Sequence, residues 1–221
     1  MNTDRTVLAL DLSSARGVIA VVHGDEVLFS AEFQSERSHN AQVFAPLAEA
    51  LAVIGQEQAL IAVGTGPGSY TGVRISIAAA QGIALSRGWR MLGWPSIATV
   101  NLPDYRVLGD ARRGQFYTAQ VCKGRLIMAT EVITPESARA EIADGSVWVT
   151  LDAKAPLGLE QVAVHQPDAV LLGRTIAQLP EAEVVQLSSA MLEPIYLQEA
   201  FITVAKKAGK HVSLGKIENR D

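Results

Sequence analysis

Gly64-Thr65-Gly66-Pro67-Gly68-Ser69-Tyr70-Thr71-Gly72-Val73-Arg74 follows the apolar run Ala59 to Val63 and opens a run of small residues. The stretch therefore reads as strand, glycine turn and helix start. Glycines at alternate positions let backbone approach a neighbour closely, and Ser69 or Thr71 can cap the helix that follows. Unpaired N–H groups and the positive end of a helix dipole make such a turn able to hold an anion. Neither common nucleotide fingerprint is met. A P-loop carries Lys-Ser or Lys-Thr after its last glycine, and the dinucleotide pattern wants a third glycine where this chain has Ser69 or Thr71. Spacing alone leaves a structural turn and a phosphate cradle both open, with the turn ahead.

Outward from that turn, the chain repeats itself. The first copy runs as strand Thr6 to Leu12, strand Gly17 to Val22, a turn at His23-Gly24-Asp25 and strand Glu26 to Phe33. The second runs as strand Arg106 to Gly109, strand Gln115 to Cys122, a turn at Lys123-Gly124 and strand Arg125 to Ile133. Each first strand meets an aspartate followed shortly by a glycine. Each triplet leads to a helix and a further strand: Asn40 to Ile54 then Leu60 to Val63, and Pro135 to Ile142 then Val147 to Leu151. Two meanders of three strands with alternating helix and strand describe an α/β protein of duplicated ribonuclease-H-like lobes, as in actin-like proteins. The boundary is expected at Leu102-Pro103-Asp104, giving an N-terminal lobe 1–103, a C-terminal lobe 104–200 and a basic tail 201–221.

Four segments then carry a resemblance. Asp11-Leu12-Ser13-Ser14, Gly66-Pro67-Gly68-Ser69-Tyr70-Thr71-Gly72-Val73-Arg74-Ile75, Asp110-Ala111-Arg112-Arg113-Gly114-Gln115-Phe116-Tyr117 and Glu193-Pro194-Ile195-Tyr196-Leu197 resemble, in register from Val7 to Leu197, the TsaB family. That resemblance implies the actin-like, sugar-kinase-like (ASKHA) fold. It also implies a cytoplasmic, non-catalytic subunit of the bacterial machinery that makes threonylcarbamoyladenosine in tRNA. The partners implied are a TsaD-like catalytic paralogue, a TsaE-like ATPase, tRNA reached indirectly through the complex, and a second copy of the chain when TsaD is absent. The transferred group would come from threonylcarbamoyl-adenylate made elsewhere.

Composition fits without deciding. Of 221 residues 48% are hydrophobic and only 5% aromatic, which calls for a core of Val, Leu, Ile and Ala. The run Val7 to Leu10 is cut by Asp11 and preceded by Asp4 and Arg5, so no signal peptide is expected, and no stretch approaches the roughly 20 apolar residues of a membrane helix. Cys122, the single cysteine, is expected as a buried inert thiol in a strand. A net charge of −4 argues against nucleic-acid binding by the chain alone, because phosphate contacts draw affinity from a basic face. The exceptions are Arg112-Arg113 and the tail residues Lys206, Lys207, Lys210, Lys216 and Arg220, read as a solvated end. With no evident aromatic stacking platform, a stand-alone RNA-binding module is disfavoured.

In the resembled architecture, turns from the two lobes face each other across a cleft. Asp11, Ser13, Gly66, Gly68, Ser69 and Thr71 are the candidate nucleotide-binding residues on one side, with Asp110, Arg112 and Arg113 on the other. Active relatives place glycine beyond the first aspartate or use a Thr-rich turn, whereas this chain has Leu12-Ser13. Asp11 could hold Mg²⁺ through water or bond its own turn. No tightly bound cofactor is expected, and ATP or ADP with Mg²⁺ is placed only at the complex interface. Catalytic relatives carry two histidines four residues apart on a helix, a spacing that grips a metal. Here His39 is followed at that spacing by Val43, and His23, His165 and His211 share no ligand spacing, so no metal site is expected. No Gly-x-Ser-x-Gly elbow or His-Glu-x-x-His helix is present. A self-sufficient actin-like small-molecule kinase or carbamoyl transferase, the alternative, would need a second histidine at position 43 or an intact nucleotide turn.

Helical surface remains. Val43, Phe44, Leu47, Leu51 and Ile54 recur at helical spacing, with Pro46 starting or kinking the regular part. From Thr71 to Arg87, Val73, Ile77 and Leu85 are expected against the sheet, leaving Ser76, Ala79, Ala80 and Ile83 for another helix. The resemblance makes these two helices the dimerisation surface, so His39, Phe44, Leu47, Leu51, Arg74, Ser76, Ala79, Ala80 and Ile83 are the candidate partner-binding residues.

Overall fold

Period-two alternation along β1 (Thr6–Asp11), β2 (Arg16–His23) and β4 (Leu60–Gly64) gives the first sheet two apolar faces. Val7, Ala9, Ala20, Val22 and Ala62 line one core, while Leu8, Leu10, Ile19, Val21, Ile61 and Val63 line the other. The structure is a computed structural model, and it describes residues 5–34 and 42–197. β3 (Glu26–Gln34) and β5 (Met91–Trp94) complete this sheet in the order β3-β2-β1-β4-β5, with β1, β2 and β3 antiparallel and β4 and β5 parallel to β1.

The second sheet repeats the plan. β6 (Asp104–Arg112), β7 (Gln115–Cys122), β8 (Arg125–Ile133), β9 (Trp148–Thr150) and β10 (Val162–Val164) stand in the order β8-β7-β6-β9-β10. The meander is again antiparallel and the last two strands parallel. The same strand order twice in one chain is the duplicated ribonuclease-H-like arrangement of the actin-like fold. The first sheet takes its strands from before Leu102, the second from after Pro103.

Helices α1 (Phe44–Ile54) and α2 (Tyr70–Arg87) cover the Leu8 and Leu10 face of the first sheet. Pro46 sits in the first turn of α1, where its missing N–H costs nothing. α3 (Pro135–Ile142), capped by Thr134 onto the Ser137 N–H, covers the outer face of the second sheet around Leu108 and Trp148. α4 (Ala169–Ala177), capped by Asp168, follows the second sheet but packs on β1 and β2 of the first. Leu172 and Ile176 share one core with Val7, Val22, Val107 and Val121, so the two sheets have a common interior. Arg174 clamps the crossing by donating to the Asp25 carbonyl at 3.0 and 2.7 Å. α5 (Glu181–Ser189) packs near β5, with Glu181 bridging Arg5 and Arg90.

Two expectations need correction here. Cys122 is partly exposed at the end of β7, and its thiol is held up first by a hydrogen bond with Asp104 rather than by burial. On α2 the sheet-facing stripe is Val73, Ser76, Ile77, Ala80 and Ile83, and Leu85 is 90% exposed. Twelve residues at about 100° each carry Leu85 about 120° round the helix from Val73.

Candidate functional site

Asp11 ends β1 and lies wholly inside the protein. Its Oδ1 accepts the Ser13 backbone N–H at 2.7 Å, an Asx turn at the strand end, while Oδ2 makes no hydrogen bond within 3.5 Å. Burial pushes this carboxyl above its ordinary value, against the opposing pull of the Ser13 and Ser96 hydroxyls and the Ser13 N–H. The reason Asp11 is sealed is Gly64. A Cβ at that position would run into the carboxylate, so the strand beside β1 closes directly over it. Asp11 does not open on the cleft, which removes it as a water-mediated Mg²⁺ ligand.

The other glycines of the loop serve the same packing. A Cβ on Gly68 would strike the Ser13 carbonyl, and one on Gly72 the Leu12 carbonyl. Ser69 donates its N–H to the Ser13 carbonyl at 2.6 Å, and its side chain caps the Gly72 N–H at 3.3 Å. Gly66 is buried at φ 87°, with its N–H on Ser96 Oγ and its carbonyl accepting the Ser96 N–H. The loop is thus stitched to β1 and to the turn after β5, with the Gly66 amide on Ser96 and the Ser69 amide on Ser13. Asp11 and Gly66, both buried and bonded within the protein, are therefore corrected from binding residues to structural ones.

Between the lobes lies an open cleft of about 680 Å³. Ser13, Gly68, Ser69 and Thr71 line one wall, Asp110, Arg112 and Asp152 the other. Asp110 accepts the Arg112 N–H at 2.7 Å and its side chain at 3.3 Å, and Asp152 accepts the Asp110 N–H at 2.8 Å. Burial raises the Asp152 carboxyl above its usual value, with the Asp110 charge adding to the effect. Arg112 and Arg113 take left-handed φ of 70° and 56° at a bulged hairpin turn, a conformation that non-glycine residues adopt at a cost.

A second concavity lies on the outside of the N-terminal lobe. Phe44, Leu47 and Leu51 of α1 and Ile75, Ala79 and Ile83 of α2 border an apolar groove of about 730 Å³. Phe44 is 59% exposed there. Leu47 and Ile83 reach the groove from buried positions, Leu51 and Ala79 are half-buried, and Arg74 is exposed. Ser76 and Ala80 do not belong to it. Both are fully buried, and Ser76 Oγ donates back to the Gly72 carbonyl, so helical period places them on the sheet side. His39 lies outside the described residues. Among those described, no three His, Cys, Asp or Glu side chains gather to hold a metal.

A family model described as TsaD, tRNA N6-adenosine threonylcarbamoyltransferase, matches residues 31–212. The chain belongs to this family. Its relatives include proteins named tRNA threonylcarbamoyladenosine biosynthesis protein TsaB. The one from Escherichia coli K12 is 29% identical over 87% of this chain and 94% of its own length, and the one from Haemophilus influenzae is 24% identical over 93% and 98%. These matches place the chain on the TsaB side of the family. A solved structure of YeaZ from Pseudomonas aeruginosa superposes with a TM-score of 0.63 at 22% identity, over 86% of this chain and all of that one, and shares its fold. Another Pseudomonas aeruginosa structure, described as similar to peptidase YeaZ, gives the same TM-score at 24% identity.

Sequence reasoning missed one feature of this TsaB-family chain. The segment around Glu193–Leu197 folds back on the glycine loop, the Ile195 N–H bonding the Thr65 carbonyl at 2.9 Å. It brings Tyr196 to Tyr70, with ring centroids 5.8 Å apart. Both residues stood inside quoted motifs, but nothing in their spacing signalled that they meet.

Proposed function

We propose that this chain is the non-catalytic subunit of the assembly that forms threonylcarbamoyladenosine in tRNA, where it holds and positions a TsaD-type catalytic paralogue. The observation that carries the reading is the α1–α2 groove of a TsaB-family chain. It offers an exposed apolar trough flanked by small residues, Ala48, Ala78, Ala79 and Gly82, against which a partner helix can approach closely. A second copy of the chain would use the same face when the paralogue is absent. A TsaE-type ATPase is assigned to the completed pair, in the cytoplasm; among the described residues no helix is long and apolar enough to cross a membrane.

The sealed Asp11 and the stitched loop support the non-catalytic part. A self-sufficient kinase would need a carboxylate that reaches substrate-bound metal and loop amides left for phosphate. This chain closes Asp11 in against Gly64 and uses the Gly66 and Ser69 amides in its own packing. Any adenine nucleotide with Mg²⁺ would be held largely by the partner. Sedimentation of the purified chain with the catalytic paralogue from the same genome tests the proposal. A one-to-one complex that displaces self-association is expected; two species sedimenting independently would overturn it.

A further inference from the structure

At the outer mouth of the interlobe cleft, three separate segments converge on a cavity of about 440 Å³. Tyr70 opens α2, Tyr196 comes from the folded-back C-terminal segment, and Arg112 and Arg113 come from the β6–β7 turn. The two rings are tilted by 49°, and each residue is about half exposed, 52% for Tyr70 and 54% for Tyr196. Arg74 sets its guanidinium 5.2 Å from the Tyr70 ring centroid and donates to its hydroxyl at 3.1 Å. The result is an aromatic shelf with cations on two sides. Arg74, Arg112 and Arg113 stand among three carboxylates, Asp110, Asp152 and Glu193, and Arg112 is paired with Asp110 at 3.3 Å, so the charges balance and the guanidinium groups act as local donors beside the rings.

We propose that this mouth seats an unstacked nucleotide of a single-stranded stretch of the tRNA, its base on the Tyr70–Tyr196 shelf and its phosphate at Arg112 and Arg113. The argument is chemical. Every base presents a π face that stacks on an aromatic ring without sequence preference, and guanidinium donors beside the ring meet the backbone charge. The lining sets apolar residues, Val73, Ile195 and Leu197 among them, beside the Arg112 and Arg113 cations, a pairing that suits a base and its phosphate together. The shelf is also held in place, Tyr196 by the bond between Ile195 and Thr65 and Tyr70 by the Ser69 cap of α2. The bulged turn with its left-handed backbone brings Arg112 and Arg113 to the rim. This contact rests on the reading of the chain as a tRNA-modifying subunit, and it makes the chain itself part of the RNA surface.

The test uses the full chain and two probes, a fluorescein-labelled short single-stranded RNA of mixed sequence and AMP, titrated at low salt. Anisotropy is expected to show RNA bound more tightly than AMP. Tyr196→Ala, and Tyr196→Leu, which keeps apolar contact with Tyr70 but removes the π face, should each weaken RNA binding about tenfold, the range that one stacked base supplies. Tyr196→Phe should bind as the unchanged protein does, and all three should melt at the unchanged temperature. Arg112→Ala should flatten the salt dependence. RNA bound no better than AMP, no RNA bound at all, or a Tyr196→Leu variant that binds normally would each overturn the proposal. Threonylcarbamoyl transfer measured on the same preparations separates the two claims. Full activity with no tyrosine effect on RNA removes only this contact, whereas an unchanged chain that never supports transfer removes the function beneath it.

Discussion

Gly64 leaves the space that the Asp11 carboxylate fills: a single added Cβ on the neighbouring strand would overlap the acid. The two residues sit at the carboxyl ends of the parallel strands β1 and β4, where an open α/β sheet ordinarily presents its ligand crevice. Here that position is closed by packing. Gly64→Ala should therefore destabilise the protein by about 2 kcal/mol through overpacking, without touching the α1–α2 groove. Thermal melting together with partner binding at a temperature well below the transition checks this. A variant that melts normally would mean that the carboxylate has room to move.

The raised Asp11 carboxyl gives a pH prediction with a definite sign. A buried acid whose folded value lies above its ordinary value of 3.8 binds its proton more tightly in the folded state. Its contribution is therefore fully present below that ordinary value and is lost as pH rises through the folded one. Asp11→Asn, which keeps the acceptor for the Ser13 N–H and carries no charge, should match the parent in acid and melt higher above it. Melting curves across pH read the crossing directly. An Asp11→Asn variant less stable at every pH would show that the ionised carboxylate is needed.

Ala79 and Ala80 are neighbours on one helix with opposite environments, one bordering the outer groove and one fully buried against the sheet. Ala80→Arg should unfold the N-terminal lobe, since burying an unpaired charge costs on the order of several kcal/mol. Ala79→Arg should leave the melting temperature near that of the parent and abolish both self-association and pairing with the catalytic paralogue. Sedimentation and melting on the two preparations decide it. Equal destabilisation by both would mean that the groove is internal.

Arg113 occupies a left-handed backbone position that glycine adopts freely. Arg113→Gly should therefore hold or raise stability, by up to about 1 kcal/mol, while lowering tRNA-dependent modification. Unchanged activity would make the arginine a bystander.

Much of the fold was readable because the elements that carry it are locally marked. Alternation in β1 and β2, the turns at Gly24 and Gly124, and the small-residue run of α2 all announced themselves within short windows. What failed was anything set by which surface an element meets. Leu85 was assigned to the core by hydrophobicity although helix period turns it outward, and Ala80 was assigned to the partner side although the same period turns it in. The crossing of α4 onto the first sheet has no local signature, because either sheet could cover Leu172 and Ile176. The site divided in the same way. Ser13, Ser69, Asp110 and Arg112 do meet across the cleft, as a duplicated lobe requires. The burial of Asp11 depends on Gly64 and Ser96, which only the folded chain brings to it.

Threonylcarbamoyladenosine formed on unmodified tRNA, quantified by nucleoside mass spectrometry in a reconstituted mixture supplied with threonylcarbamoyl-adenylate, tests the central claim most directly. The catalytic paralogue with this chain should modify tRNA, the paralogue with the Ala79→Arg chain should not, and this chain by itself should form none. Product from this chain alone, or equal product with and without it, would contradict the account.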